Sequence, residues 1–162
     1  MTTLKVRIYP DPILRKEAAP VEVFDGELEK FIKEMFDVMR KEDGVGLAAP
    51  QVGVSKQIAV VSYGGQDYVL INPKVLESSG SERREEGCLS VPGIYEEVER
   101  PYRVVVEACN EKGKVERIAA EGFLARAFLH EIDHLRGKLF IDYLSVLKRQ
   151  IIKKKMRKHW KE

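Results

Sequence analysis

The most regular hydrophobic pattern lies near the N-terminus. Leu28, Phe31, Ile32, Met35, Phe36 and Met39 recur at three- and four-residue steps, which aligns them along one stripe of a helix. Asp25 suits the N-cap, Arg40 and Lys41 sit where the helix dipole favours cations, and Gly44 can close the element. Ahead of it, residues 4–8 alternate apolar and charged side chains and predict a short strand, broken by Pro10-Asp11-Pro12. After it the hydrophobic period shortens to that of strands. Residues 57–63 and 66–72 predict a hairpin turning at Gly64-Gly65, with Pro73 ending its second strand. Residues 94–98, 102–108 and 114–120 predict three further strands, the last two joined across Asn110-Glu111-Lys112-Gly113. Residues 77–86 are polar and charged, and predict a loop.

A second helix is predicted within 121–137, where Leu124, Ala125, Arg126, Ala127 and Leu129 are good helix formers and Gly137 can end the run. A third starts after Ser145 and is dominated by basic residues. Most strands fall between the first two helices. The expected class is therefore α+β, with mostly antiparallel sheets packed around a central helix over 121–137, an N-terminal amphipathic helix and a C-terminal helix. No repeat or linker divides the chain, so one domain over 1–162 is expected, with 148–162 its basic C-terminal helix.

Composition narrows this little. A chain of 162 residues, 44% hydrophobic and 33% charged, can bury a core without disulfide staples. Its 28 basic and 26 acidic residues leave a net charge of +2, too small to imply nucleic acid by itself. No apolar run reaches the ~18 residues of a membrane span, and none near the start suits a signal peptide. Cys88 and Cys109 make no disulfide framework, so a cytoplasmic, reducing location is expected, where a cysteine is more often a ligand or nucleophile than a bridge. Cys109 ends an apolar strand with no ligand-like neighbour and reads as structural.

The chemistry concentrates in His130-Glu131-Ile132-Asp133-His134, an H-E-x-x-H pattern holding two of the chain's three histidines. On a helix, positions i and i+4 share a face roughly 6 Å apart along the axis. Two imidazoles there can grip one metal ion while Glu131 reaches a water beside it. A catalytic site of that type needs a third protein ligand. Phe140 occupies the place of the third histidine in the extended protease motif, and only Asp142 and Glu162 follow as acids. The ligand must come from upstream. Cys88, in Glu86-Gly87-Cys88-Leu89-Ser90, is the best candidate, since a metal deprotonates a thiol outright; Glu85 and Glu86 are weaker alternatives. The small, apolar loop at 44–53 lacks the Gly-Lys-Ser/Thr ending of a phosphate loop. Gln51 is its one hydrogen-bonding side chain, either flanking a ligand or solvated in a turn.

Together GVGLAAPQ at 44–51, EGCLS at 86–90 and HEIDH at 130–134 resemble, in order and spacing, the three signature motifs of peptide deformylase, in its bacterial-type form. The likeness extends to DPILR at 11–15, Ile71-Asn72-Pro73 and GFLARAFLHEIDHLRG at 122–137. It departs in a short loop before the cysteine motif, in Gly93-Ile94-Tyr95 after it, and in the basic tail. The resemblance implies removal of the formyl group from formyl-methionyl nascent polypeptides. It implies a divalent metal on Cys88, His130 and His134, natively Fe²⁺, with Zn²⁺, Ni²⁺ or Co²⁺ able to substitute. It assigns Glu131 as general base and acid, and the Gln51 amide with the Leu89 backbone N–H as oxyanion donors. It places Val45, Leu89, Phe123, Ala127 and His130 near a methionine pocket. An extended peptide along the Val45-Gly46 and Gly87 backbone would explain the two glycines, because side chains there would crowd it. For the basic tail at 148–162 it loosely implies docking on the ribosome, on RNA or protein near the emerging chain; no membrane partner is expected. An H-E-x-x-H protease cutting internal peptide bonds, or a non-catalytic metal- or ribosome-binding module, are the rival readings.

Overall fold

The computed structural model describes residues 4–161, and their side chains as far as Lys158. It is an α+β fold with three α-helices and antiparallel sheets. Helix α1, Gly26–Lys41, starts at Asp25, whose side chain accepts the Leu28 N–H at 3.0 Å. Leu28, Ile32, Met35, Val38 and Met39 are buried on its inner side, with Phe31 and Phe36 half-buried beside them.

Seven strands follow: β1 (Gly46–Ala48), β2 (Ile58–Tyr63), β3 (Gln66–Ser79), β4 (Glu82–Cys88), β5 (Val91–Arg100), β6 (Arg103–Cys109) and β7 (Val115–Glu121). Five form one sheet in the order β1-β2-β3-β6-β7, and β4 and β5 form a separate ribbon. Side chains alternate along a strand, so the large sheet has two faces to cover. Ile58 and Val60 of β2 pack with α1, while Ala59 and Val61 pack with helix α2, Gly122–Leu135. The four are fully enclosed, which explains why β2 is continuously apolar rather than alternating. A third apolar cluster joins Leu14, the ribbon residues Val91, Ile94 and Val98, the Phe140–Tyr143 single-turn helix, and Ile152 and Met156 of helix α3, Val146–Lys161.

Three local expectations are corrected. Residues 4–8 form no strand. The segment is held by single backbone bonds to different partners, Arg7 N–H to Gln51 O and Tyr9 N–H to Ser90 O, and a ladder needs successive bonds to one strand. Pro73 does not end β3. It sits in a bulge between Ile71 and Lys74, where no ladder N–H is required, and Asn72 before it takes φ +51°. The Asn72 side chain accepts the Val21 N–H and donates to Val21 O, clamping the chain ahead of α1. Finally, 77–86 is not a loop: it ends β3, turns at Gly80 and enters β4. β4 is mostly solvent-facing and tied to β5 by pairs such as Arg83–Glu97 at 2.9 Å, so it has no apolar alternation to betray it.

Candidate metal centre and cleft

Helix α2 lies against the large sheet through Ala125, Phe128 and Ile132, which fixes its rotation. His130, Glu131 and His134 are consequently also buried. The chain leaves the helix through Gly137 at φ +76°, where a Cβ would stand 2.5 Å from Arg15 O. Cys88 comes from the end of β4, at a register shift after Glu86 that turns the strand toward α2.

These elements bring one sulfur and two ring nitrogens together. Cys88 Sγ lies 3.3 Å from His134 Nε2, which lies 3.2 Å from His130 Nε2. The three ligand atoms are all within 4.8 Å of one another. Ligand–ligand edges in a tetrahedral site with ~2.0 Å metal–nitrogen bonds are roughly 3.3 Å, so this spacing fits a cation. The donor chemistry agrees. His130 Nδ1 faces the Glu86 carboxylate at 2.6 Å, which leaves its Nε2 lone pair aimed at His134. Two ring nitrogens directed at each other need a proton or a cation between them. Burial pulls the His130 imidazole down, but the charges of Cys88, Glu131 and Glu86 outweigh it and raise it well above its ordinary value. Burial and the neighbouring His130 push His134 well below.

Behind His130 stands a charge cluster that the sequence argument missed. Arg100 grips Glu86 through two bonds of 2.8 and 2.6 Å, and its third nitrogen reaches Asp133 at 3.0 Å. Arg126 adds a bond to Glu86 at 3.0 Å and two more to the Val98 and Glu82 carbonyls. Tyr143 donates its hydroxyl to Asp133. Burial alone would raise the Glu86 carboxyl, but hydrogen bonds from Arg100 and His130 hold it well below the carboxylate range. Glu86 is thus occupied behind the histidine, and Glu85 is exposed; neither faces the cation position as a ligand. A signal for Glu86 did exist: residues i and i+2 of a strand share a face, and metal-bound histidines usually donate their second N–H to a carboxylate.

Glu131 is buried beside the pair. Its Oε1 has no hydrogen-bond partner among the described residues, and burial raises its carboxyl to about 7. Gln51, which the sequence left open, is buried: its Oε1 accepts the Ala48 N–H at 2.9 Å. Its Nε2 donates to Ser90 Oγ at 3.1 Å and approaches Cys88 Sγ at 3.5 Å. A cleft of about 610 Å³ opens over this group. Val45, Gly46, Gly87, Leu89, Phe123 and Ala127 line it, as do Gln51, Cys88, His130 and Glu131. His134 lies beneath, 1% exposed. Such an arrangement holds a cation at the bottom of a half-apolar cleft, next to a carboxyl able to exchange a proton near neutral pH.

Comparison with known proteins agrees with this chemistry. The family described as polypeptide deformylase matches residues 3–150. A peptide deformylase of Alkalilimnicola ehrlichii is 44% identical, over 98% of this chain and 91% of that one. Among solved structures, a peptide deformylase from Legionella pneumophila is 46% identical with a TM-score of 0.94, over 99% of this chain and 96% of that one. The Ehrlichia chaffeensis enzyme in complex with actinonin is 39% identical with a TM-score of 0.93, over 98% of each chain.

Proposed function

The chain belongs to the polypeptide deformylase family, and from that premise we propose how its own residues divide the work. The reaction is hydrolysis of the N-terminal formyl amide of nascent polypeptides, releasing formate. What carries the residue assignment is the convergence of Cys88, His130 and His134 beside a buried Glu131 oxygen that has no hydrogen-bond partner among the described residues. Those three side chains would hold one divalent cation, which when bound makes nearby water acidic at neutral pH and polarises a carbonyl. Glu131 takes the proton from the attacking water and later hands it to the departing amine, a task suited to a carboxyl raised to about 7. The Gln51 amide, held by Ala48 and Ser90, and the Leu89 backbone N–H donate to the oxyanion. Glu86 keeps the proton of His130 on Nδ1, so that Nε2 stays a ligand.

The formyl-methionyl substrate lies extended along β1, with its methionine side chain among Val45, Leu89, Phe123, Ala127 and His130. In support, β1 is an edge strand of the large sheet, and the Gly46 and Gly87 backbones line the cleft where an added strand would run. Fe²⁺ is the native ion in this reading, with Zn²⁺, Ni²⁺ or Co²⁺ able to substitute; a thiolate with two imidazoles suits this group of metals. Metal analysis of anaerobically purified protein, alongside its turnover, identifies the ion. One domain covers residues 1–162, its sheets arranged to present the H-E-x-x-H helix.

The basic residues of 148–162 would dock the enzyme on the ribosome. Lys153, Lys154, Lys155, Arg157 and Lys158 are exposed, a charged face suited to RNA phosphates; 159–162 add side chains outside those described. Deleting the segment would also strip Ile152 and Met156 from the core, so charge reversal at Lys154, Lys155, Arg157 and Lys158 is the cleaner test. Salt-sensitive ribosome binding should vanish while peptide hydrolysis persists; unchanged binding refutes the docking role.

The primary test is formate release from formyl-Met-Ala-Ser by the metal-loaded enzyme. Glu131→Gln should retain the metal and lose turnover, and retained turnover would sink the assignment.

A further inference from the structure

The large sheet has two outer strands, β1 and β7. The substrate occupies β1 in the reading above, whereas nothing so far uses β7. It runs seven residues, Val115–Glu121, without proline or glycine. Its pairing with β6 keeps one unbroken register, while the β3–β6 and β4–β5 pairings both shift. A regular edge of that kind is a template for another strand unless charge, proline or a bulge blocks it.

Hydrogen-bond alternation decides which groups the edge offers. At the hairpin turn the Asn110 N–H donates to Lys114 O at 2.9 Å, and at the other end the Gly122 N–H donates to Tyr102 O at 2.7 Å. Residues 114 and 122 therefore face β6, and the even-numbered positions between them do too. The N–H and C=O groups of Val115, Arg117 and Ala119 point outward, as does the Glu121 N–H. All four residues are exposed, and no other described residue bonds those groups.

A second copy of β7 satisfies this edge, and charge selects the register. Two-fold antiparallel pairing must set outward positions against outward positions. Centred on Arg117, it opposes two like charges. Centred on Ile118, it opposes Arg117 to alanine and Val115 to an acid. Centred on Ala119, it opposes Arg117 to the partner's Glu121 at both ends and leaves two alanines at the axis, where small side chains let the backbones close. Arg117 has no ion pair of its own among the described residues, and Glu121 only approaches Arg103 at 3.8 Å.

We infer that β7 is a self-association edge: two copies pair antiparallel about Ala119, with Arg117 opposite the partner's Glu121, and their sheets become one. β1 lies at the far side of the sheet, so both clefts stay open and hydrolysis per site is unchanged. This inference stands apart from the deformylase reading and survives or fails without it.

The test uses the Zn²⁺-loaded full chain. Alanines at the axis would have Cα atoms about 5.5 Å apart, inside the roughly 4.4–6.8 Å that a disulfide spans. Ala119→Cys should therefore form a covalent dimer on air oxidation, with the native chain as the control for Cys88 and Cys109. Val115→Cys is also exposed, but its two copies would stand about 26 Å apart and should not link. Sedimentation of the native chain should show a concentration-dependent dimer. Arg117→Glu should raise its dissociation constant about tenfold or more, and adding Glu121→Arg should restore it. No link in Ala119→Cys, equal linking in Val115→Cys, or an unchanged constant in Arg117→Glu overturns the inference. So does a native chain that stays monomeric to about 1 mM, a result that decides even if a variant fails to fold.

Discussion

A missing methyl group makes room for the Glu131 carboxyl. A Cβ at Gly46 would stand 2.5 Å from Glu131 Oε2, closer than real Cβ contacts come, and 3.0 Å from its Cδ. Sequence reasoning explained this glycine by peptide crowding alone; the carboxylate itself also occupies the space. Gly46→Ala should therefore lower kcat about 10- to 100-fold, as a misplaced group does, with metal content unchanged. Formate assays and metal analysis of the same preparation check both halves. Glu86 gives a second prediction. Replacing it by Gln removes the carboxylate that Arg100, Arg126 and His130 share. Metal affinity should fall about 10- to 100-fold in a chelator competition, and stability should drop by about 3–5 kcal/mol, because two guanidiniums lose their buried partner. The proposed ligands were legible from residue type and spacing. The cluster behind them was not, because Arg100 and Arg126 sit in unrelated segments and carry no motif.

Elements were legible where one face meets a core. α1 shows its stripe because one side packs on the sheet, and the hairpin at Gly64-Gly65 shows its turn chemistry, both glycines having positive φ. β4 escaped because its side chains are mostly exposed and it is held by pairing and ion pairs with β5 rather than by an apolar face of its own. β3 escaped at Pro73 because a bulge spared the ring a ladder position. That bulge is testable through Asn72, whose amide closes two bonds to the Val21 backbone at 2.8 and 2.9 Å. Asn72→Ala loses both and leaves a residue at φ +51° that no longer favours it. A loss of about 2–4 kcal/mol is expected from the urea midpoint. Deformylation per folded molecule should be retained, since the clamp lies away from the cleft.

At the scale of the molecule, the sheet lies between α1 and α2, and the third cluster ties Leu14, the ribbon and α3 together. Arg15 reinforces that tie with two bonds to Asp142 at 2.7 and 2.9 Å. No helix among the described residues is long and apolar enough to cross a membrane. Two buried carboxyls make stability depend on pH in opposite windows. Glu86 is held low, so its contribution is complete above its unfolded value of 4.5 and is lost as the pH falls below it. Glu131 is raised to about 7 from 4.5, so its contribution is complete below 4.5 and is lost as the pH rises through about 7. In metal-free protein, Glu131→Gln should make the decline across the upper window shallower, the remainder coming from His130, which is also held above its ordinary value, and leave the acid limb in place. Denaturant titrations across both windows check this.

The sequence by itself determined the helices with one buried face, the hairpin turns, and a donor set that implies a metal hydrolase. Those properties depend on residue type and on neighbours a few positions away. Only the tertiary structure decided that Cys88 Sγ stands 3.3 Å from His134 Nε2, that Glu86 turns away from the cation position to meet His130 Nδ1, and that Tyr63 packs against Phe123. Each of these joins residues far apart in the chain, and their meeting depends on how α2 seats on the sheet and where β4 bends. Local spacing encodes the chemistry of a side chain; packing of distant elements decides which atoms it faces.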